Sequence, residues 1–193
     1  MISTDDWKFT DGWLSAGHRV RSPNYDDRPN GMIPELIVLH GISLPPGKYG
    51  GPGIEELFTN SLNPEDHPYY IHIAHIRVSA HFLIRRQGEL LQFVSTKDRA
   101  WHAGQSCWGQ RTNCNDFSIG VELEGCDTEP YTENQYITLA ALVSVLQNQY
   151  PQIRHDAIVG HSEIAPGRKT DPGPSFDWKK LKWRVKSCRG EAQ

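Results

Sequence analysis

Two short apolar segments, each followed directly by a histidine, set the strongest constraint on the fold. Residues 35–39 read Glu-Leu-Ile-Val-Leu after Pro34 and lead to His40. Residues 157–160 read Ala-Ile-Val-Gly and lead to His161. Branched apolar runs of this length are typical of strands that are buried on both faces of a sheet. Because ligands bind at the carboxyl ends of strands in α/β sheets, we expect both histidines at a functional edge.

The remaining patterns predict an α/β chain that forms one domain. Thr132-Glu-Asn-Gln135 matches a capping box, and apolar residues then recur at helical spacing until Pro151. A length of 193 residues suits a single domain with its own core. The other predicted elements are a helix over 54–60, a hairpin over 79–94 with its turn at Gln87-Gly88, a strand over 117–123 and a basic helix from about Phe176.

The predicted strand over 117–123 separates apolar from polar side chains. Because side chains alternate along a strand, its aliphatic residues share one face. The opposite face carries Ser118, Gly120 and Glu122. Glu124 follows on that same face, so the pattern alone leaves open which of the two glutamates is an active-site acid.

Composition and charge argue against two large classes of function. The net charge is −3 and the pI is about 6.3, whereas nucleic-acid binding needs a clustered basic surface. The basic residues over 179–189 are typical of the solvated face of a terminal helix. The sequence lacks a run approaching the roughly twenty apolar residues of a membrane span. We therefore expect neither nucleic acid nor a membrane as a partner, and infer no obligate protein partner.

The start of the chain and its cysteines bear on the cellular compartment. The first residues read Met-Ile-Ser-Thr-Asp-Asp, with two acids where a signal peptide has basic residues followed by an apolar run. This start predicts a cytoplasmic protein, in which Cys107, Cys114, Cys126 and Cys188 are expected to be free thiols. Cys107 and Cys114 lie near His102, but their spacing matches no zinc-finger pattern.

Three distant segments contain the donors for one metal ion: His40, His161 and Asp171. An open zinc site holds three ligands of this kind and a water, whose pKa falls to about 7. Taken singly, a histidine at a strand end is usually a hydrogen-bonded structural residue. Lys169, two residues before Asp171, and Glu122 together favour metal-assisted hydrolysis. A structural or surface role is favoured for His67, His72, His75, His81 and His102, although His102 beside Trp101 is also a candidate pocket residue.

Six short segments follow one another in a distinctive order. They are His40 to Gly47, Ile73 to His81, Arg99 to Gly104, Cys114 to Gly125, Gly160-His161 and Arg168 to Pro174. In these segments the chain resembles the AmpD branch of the zinc-dependent N-acetylmuramoyl-L-alanine amidases, across residues 12–183. The resemblance implies a central mixed β-sheet flanked by helices, in a single domain over residues 1–193.

The resemblance also implies an activity and a set of roles. The family contains one zinc ion and cleaves the amide between the lactyl group of (1,6-anhydro-)N-acetylmuramic acid and L-alanine, in cytosolic peptidoglycan recycling. Its zinc ligands would here be His40, His161 and Asp171. Glu122 would carry a proton from the attacking water to the leaving nitrogen, and Lys169 would stabilise the oxyanion.

Substrate contacts are less well defined by the sequence. Arg77 is a candidate clamp for a stem-peptide carboxylate, with a surface ion pair as the alternative. Trp101 is a candidate stacking surface for the sugar, with a core tryptophan as the alternative. The family often has Asn where this chain has Gly41, and Arg where it has Asn113. Arg111 is the nearest replacement for that arginine, so we expect it to contact the muropeptide.

Two other functions remain open at this stage. A muropeptide-binding module shares the implied scaffold but typically lacks part of the ligand set. An amidase that acts on polymeric peptidoglycan would need an export signal. In addition, the many Gly and Pro residues over 41–53 predict an irregular, weakly held loop, which is a candidate lid.

Overall fold

A six-stranded mixed sheet organises the chain in a computed structural model that describes residues 2–190. The strands are β1 (Phe9–Thr10), β2 (Trp13–Leu14), β3 (His18–Arg19), β4 (Tyr25–Asp26), β5 (Leu36–Ile42), β6 (Phe82–Ile84), β7 (Leu90–Gln92), β8 (Arg99–Ala100), β9 (Cys107–Trp108), β10 (Arg111–Thr112), β11 (Ser118–Glu124) and β12 (Ile158–Gly160). The helices are α1 (Gly53–Phe58), α2 (Glu133–Gln149), α3 (His161–Ile164) and α4 (Trp178–Cys188).

The order of strands across the main sheet is β12-β5-β11-β6-β7-β3. The first four of these strands are mutually parallel, and β7 pairs antiparallel with β6. Three further pairs are small and antiparallel: β1 with β2, β4 with β8, and β9 with β10. The predicted α/β class, with a mixed sheet between helices, is confirmed.

Two apolar clusters cover the two faces of the sheet. The larger contains side chains of α2 and α4 with residues of the central strands, among them Phe82 and Ile84. The smaller contains side chains of α1 with Leu83 and Leu91. Residues 36–39 of β5 are fully buried, as expected for a central strand that is covered on both faces.

The local signals of the sequence correspond closely to the structure. Thr132 Oγ1 accepts a hydrogen bond from Gln135 N at 3.2 Å, and Gln135 Oε1 accepts one from Thr132 N at 3.0 Å, so the capping box is confirmed. The hairpin over 79–94 is formed by β6 and β7, and Gly88 in its turn has a φ of +86°. One boundary differs: β5 continues two residues beyond His40, because Gly41 and Ile42 still pair with β11.

Parallel register aligns the residues that the sequence singled out. Glu122 on β11 is the register partner of His40 on β5. Gly160, the last residue of β12, pairs with Leu39, so His161 follows at the level of His40. Side chains at one level of a parallel sheet point to the same face. β5 and β11 therefore present His40 and Glu122 in one row, and His161, the first residue of α3, follows the end of β12 at the same level.

Within residues 2–190, no helix is both long enough and apolar enough to cross a lipid bilayer.

The core position of α2 gives a stability prediction. Leu139 is fully buried between the sheet and α4, and Leu139→Ala should lower the free energy of unfolding by about 2–5 kcal/mol, because it removes apolar contacts and leaves a cavity. Ile137→Ala, at a partly exposed position of the same helix, is the control and should cost clearly less. Urea unfolding measures both, and equal losses would contradict the described packing.

Candidate metal centre and active site

Three donor atoms converge at the edge of the sheet. The Nδ1 atoms of His40 and His161 are 2.9 Å apart. Oδ2 of Asp171 lies 3.1 Å from Nδ1 of His161 and 3.3 Å from Nδ1 of His40. Both histidines are buried, and Asp171 is 15% exposed. Within residues 2–190 this is the one group of three or more His, Cys, Asp or Glu side chains arranged to hold a metal ion.

The elements around Asp171 explain how it reaches the two histidines. His40 lies in β5, and His161 begins α3 directly after β12. Asp171 follows α3 in a turn, where its carbonyl oxygen accepts a hydrogen bond from Ser162 N at 3.0 Å. The turn is thereby fixed to the first residues of the helix, and the carboxylate points back to the strand ends.

The donor set fits a zinc ion. Nε2 of His161 lies 3.1 Å from the carbonyl oxygen of Ala103, which can only accept, so the Nε2 proton is placed there and Nδ1 is unprotonated. Three acceptor atoms so close together repel one another unless a cation lies between them. Ligand atoms around tetrahedral zinc, with bonds of about 2.0–2.1 Å, are separated by about 3.3 Å. The observed separations of 2.9–3.3 Å approach that value.

The protonation states of these groups also suit a metal. Burial lowers the pKa of His40 to about 4, so its imidazole is neutral at pH 7. The pKa of Asp171 lies below its ordinary value, although burial acts to raise it, so the carboxyl group is ionised at pH 7. Neutral imidazoles and an ionised carboxylate are the forms that bind zinc.

Glu122 presents a buried carboxyl group that is free to react. The residue is 8% exposed, and within residues 2–190 its Oε2 has no hydrogen-bond partner. Burial raises its pKa well above the ordinary value, the charge of Asp171 raises it further, and Lys169 acts in the opposite direction. An unpaired buried acid beside a donor cluster is typical of a functional group rather than a structural one.

Glu124 is held very differently, although it lies on the same face of β11. Its Oε1 accepts hydrogen bonds from Gly50 N at 2.7 Å and from Arg85 Nη1 at 3.1 Å. Its Oε2 accepts one from Arg86 N at 3.0 Å. With both oxygens occupied, Glu124 is a structural anchor. The geometry therefore favours Glu122 as the active-site acid, a choice that the sequence pattern left open.

The loop over 41–53, which the sequence predicts to be a weakly held lid, is bonded to Glu124. Gly50 is bonded to Glu124, and the carbonyl oxygen of Gly51 accepts a hydrogen bond from Arg85 Nη2 at 3.1 Å. Earlier in the loop, Gly47 N donates to Ser43 Oγ at 2.9 Å. These bonds fix the C-terminal part of the loop to the sheet. The segment is a wall of the site there rather than a free lid.

A cavity of about 670 Å³ opens above the donor cluster. Its polar floor contains His40, Glu122, His161, Lys169 and Asp171. One wall is apolar and includes Leu44, Leu57, Phe58, Ile73, Ile76 and Val78. A charged floor under an apolar wall suits a ligand with both a polar reacting group and aliphatic parts.

The structure separates the three candidate substrate-binding residues. Trp101 lines the cavity, and its Nε1 donates to Asp26 Oδ1 at 3.0 Å, which fixes the ring. Arg77 is exposed, lies between the lining residues Ile76 and Val78, and donates to the carbonyl oxygen of Ala74 at 3.3 Å.

Arg111 is placed differently from the expectation. It forms an ion pair with Glu35 at 2.8 Å, and its guanidinium lies 3.7 Å from the centre of the Phe117 ring. It is absent from the residues that line the cavity. Two local partners, Glu35 and Phe117, therefore hold the Arg111 side chain, and its contact with the muropeptide stays a prediction.

Gly41, which departs from the pattern of the family, also lines the cavity. A Cβ atom at this position would lie 2.4 Å from the hydroxyl oxygen of Tyr131. That hydroxyl donates to the carbonyl oxygen of Pro172 at 3.0 Å. A larger residue at position 41 would therefore require Tyr131 to move, together with the turn that carries Asp171.

The sequence did not predict that His102 contacts the candidate metal ligand His40. His102 is half-buried, and this burial lowers its pKa well below the ordinary value. Nδ1 of His102 lies 2.9 Å from Nε2 of His40. The sequence offered only its proximity to Trp101 as a signal, because the contact joins residues 62 positions apart. His81, by contrast, has the structural role that was favoured: its Nδ1 accepts from Gly120 N at 3.0 Å.

The chain is similar to characterised amidases. A family described as N-acetylmuramoyl-L-alanine amidase matches residues 30–174. The 1,6-anhydro-N-acetylmuramyl-L-alanine amidase AmpD of Citrobacter freundii is 56% identical over 172 residues, which are 89% of this chain and 91% of the relative. The crystal structure of a selenomethionine derivative of AmpD has a TM-score of 0.90 at 54% identity, and the match covers 92% of this chain and 99% of that one.

A more distant structure contains a ligand. It is the N-acetylmuramyl-L-alanine amidase AmiD of E. coli in complex with the substrate anhydro-N-acetylmuramic acid-L-Ala-D-gamma-Glu-L-Lys. Its TM-score is 0.59 at 25% identity, over 93% of this chain and 65% of that one.

The contrast between the two glutamates predicts opposite effects on stability in metal-free protein. Glu122→Gln should raise the free energy of unfolding at pH 7, because the unpaired buried charge is removed. Glu124→Gln should lower it by about 1–3 kcal/mol, because buried donors lose an ionised partner. The folded-state pKa of Glu122 is raised, so the wild type loses stability as pH rises above 4.5, and the gain from Glu122→Gln should shrink toward pH 4.

Chemical denaturation of chelator-treated protein between pH 4 and pH 8 measures these effects. A destabilising Glu122→Gln combined with a neutral Glu124→Gln would reverse the roles assigned to the two side chains.

Proposed function

The chain belongs to the N-acetylmuramoyl-L-alanine amidase family, and we propose that it is a zinc-dependent member that releases stem peptides from 1,6-anhydro-muropeptides. The amidase activity follows from the family and from the high identity to AmpD. The observation that carries the zinc chemistry is the convergence of His40, His161 and Asp171 beside the free carboxyl of Glu122.

The bond to be cleaved is the amide between the lactyl carbonyl of (1,6-anhydro-)N-acetylmuramic acid and the nitrogen of L-alanine. One zinc ion per chain, held by His40, His161 and Asp171, would polarise that carbonyl and acidify a water whose pKa falls to about 7. The side chains around the donors supply the remaining steps.

Glu122 is proposed as the group that moves the proton. Its side chain lies in the same row as His40, so it faces the position at which water attacks. Because burial raises its pKa, the carboxylate accepts a proton readily and can then return it to the departing L-alanine nitrogen. The unpartnered Oε2 supports this role, since no protein contact has to break before the proton arrives.

Lys169 is proposed as the cation that stabilises the oxyanion. It lines the floor of the cavity, and its charge acts on both Glu122 and His40. Negative charge develops on the amide oxygen during attack, and a cation beside that oxygen lowers the energy of this state. The backbone of Lys169 is fixed by its N–H, which donates to the carbonyl oxygen of Ala165 at 3.0 Å.

Trp101 and Arg77 are proposed as the substrate contacts. The hydrogen bond to Asp26 holds the Trp101 ring in the cavity, where it can stack on the sugar. Arg77 beside the apolar wall can reach a stem-peptide carboxylate and bind it through two N–H groups. The apolar wall would then contact the aliphatic parts of the stem.

We further propose a cytoplasmic protein with a single amidase domain over residues 1–193 and a soluble muropeptide as its ligand. The four cysteines are all free, which suits a reducing compartment. The name of the AmpD relative identifies a 1,6-anhydro substrate, which is a turnover fragment rather than an intact wall polymer. For a binding module without hydrolysis, a complete donor set beside a free acid would have no function.

The metal ligands and the catalytic groups should separate in mutants. Asp171→Ala should abolish activity and strongly weaken zinc retention, because one of three protein ligands is lost. Lys169→Ala should retain one zinc per chain and lower kcat by about 10²–10³, the effect of one lost oxyanion donor. Metal analysis of purified variants and single-substrate kinetics measure both. An Asp171→Ala variant with full zinc and full turnover would refute the ligand assignment.

The size of the site predicts substrate selectivity. The cavity of about 670 Å³ is bounded by the bonded loop over 41–53, so it suits one terminal sugar better than a long glycan strand. We expect kcat/KM for a soluble anhydro-muropeptide to exceed that for intact sacculi by at least about 100-fold. Release of stem peptides at equal stem concentration tests this, and comparable rates would identify an amidase of polymeric peptidoglycan.

A further inference from the structure

The hydrogen bond between His40 and His102 has a direction that the surrounding structure determines. A chain of hydrogen bonds leads to His40 from the carbonyl oxygen of Cys114. This oxygen accepts a hydrogen bond from Ser118 Oγ at 2.5 Å. The hydroxyl proton of Ser118 is therefore engaged by that carbonyl. Oγ of Ser118 also lies 3.2 Å from Nε2 of His102, and toward this nitrogen it can only accept. His102 consequently has its proton on Nε2.

The same reasoning extends to the metal ligand. A neutral His102 with its proton on Nε2 has an unprotonated Nδ1, and this atom lies 2.9 Å from Nε2 of His40. Nε2 of His40 must then be the donor. Its other nitrogen, Nδ1, is left unprotonated and faces His161 and Asp171. The row of contacts from Cys114 to His40 thus selects the tautomer of His40 that can bind a metal.

The second ligand imidazole is oriented from the adjacent residue. Nε2 of His161 donates to the carbonyl oxygen of Ala103 at 3.1 Å, which leaves its Nδ1 unprotonated as well. One dipeptide, His102-Ala103, therefore supplies the acceptor for both histidine ligands. Two side chains hold its backbone: Oδ1 of Asn115 accepts from His102 N at 3.2 Å and from Ala103 N at 2.8 Å, and Arg168 Nη2 donates to the carbonyl oxygen of Ala103 at 2.6 Å.

The packing around His102 shows that space is kept for its ring. A Cβ atom at Gly120 would lie 2.4 Å from Cγ of His102. Any larger residue at this point of β11 would displace the imidazole from His40. Gly120, on the same face of β11 as Glu122, thus leaves the space that the His102 ring occupies.

We propose that His102 and Asn115 are positioning residues, which fix the tautomer and orientation of His40 and His161 for zinc. The proposal rests on the zinc-dependent function proposed above. Groups that orient metal-bound imidazoles typically change metal affinity by about 10–100-fold when they are removed. A neutral imidazole in this position, instead of a carboxylate, fixes the ligand without adding a negative charge near the metal.

The test compares matched pairs of variants. His102→Leu removes the acceptor, whereas His102→Asn places an amide oxygen where Nδ1 was. Asn115→Ala removes the acceptor for both backbone N–H groups, whereas Asn115→Asp retains it. Zinc affinity is measured by competition with a chromophoric chelator. The protonation of the ring nitrogens of His40 and His161 is read from ¹⁵N NMR of the metal-free protein.

We expect His102→Leu and Asn115→Ala to weaken zinc binding by about 10–100-fold, and His102→Asn and Asn115→Asp to recover most of it. In wild-type protein both ligand histidines should have Nε2 protonated, and His102→Leu should give a mixture of tautomers at His40. Thermal unfolding of each variant separates these effects from loss of fold. If His102→Leu does not fold, the Asn115 pair decides, because Asn115 lies at a partly exposed position.

Two outcomes would overturn the proposal: equal zinc affinity in wild type and folded variants, or an unchanged tautomer of His40 in His102→Leu. A wild-type protein that fails to bind one zinc per chain would instead refute the proposed function. The two failures are therefore distinguishable.

Discussion

The parallel pairing of β12, β5 and β11 is the constraint on which the rest of the site depends. Because parallel strands in register present their side chains at one level, Glu122 lies beside His40, and His161 follows β12 at the level of His40 as the first residue of α3. The hydrogen bond from Ser162 N to Asp171 then adds the third ligand. A shift of one residue in either pairing would turn a ligand to the other face of the sheet and destroy the cluster.

Hydrogen-bond partners give similar buried side chains different chemistry in this fold. Glu122 and Glu124 are two residues apart on one strand and both are buried. Glu124 satisfies its oxygens with Arg85 and two backbone amides, so it stabilises the wall of the cavity. Glu122 has a free oxygen and a raised pKa, so it costs stability and is available for proton transfer. Such local conflicts are expected where function is selected over stability.

The local elements were predictable because each depends on neighbours in the sequence. Three such predictions were correct: the capping box at Thr132, the strand that leads to His40 and the strand around Glu122. Errors arose where distant contacts decide. The loop over 41–53 looked weakly held, yet Glu124 fixes its C-terminal part.

The sequence by itself determined the α/β class, the family and the identity of the candidate donors, because these follow from periodicity and from short motifs. Only the tertiary structure decided which glutamate is free and that His102 orients His40. The physical reason is that a hydrogen bond between residues 62 positions apart leaves no periodic trace in the chain. Such a bond exists only once the strands are paired and water has been excluded from the space between them.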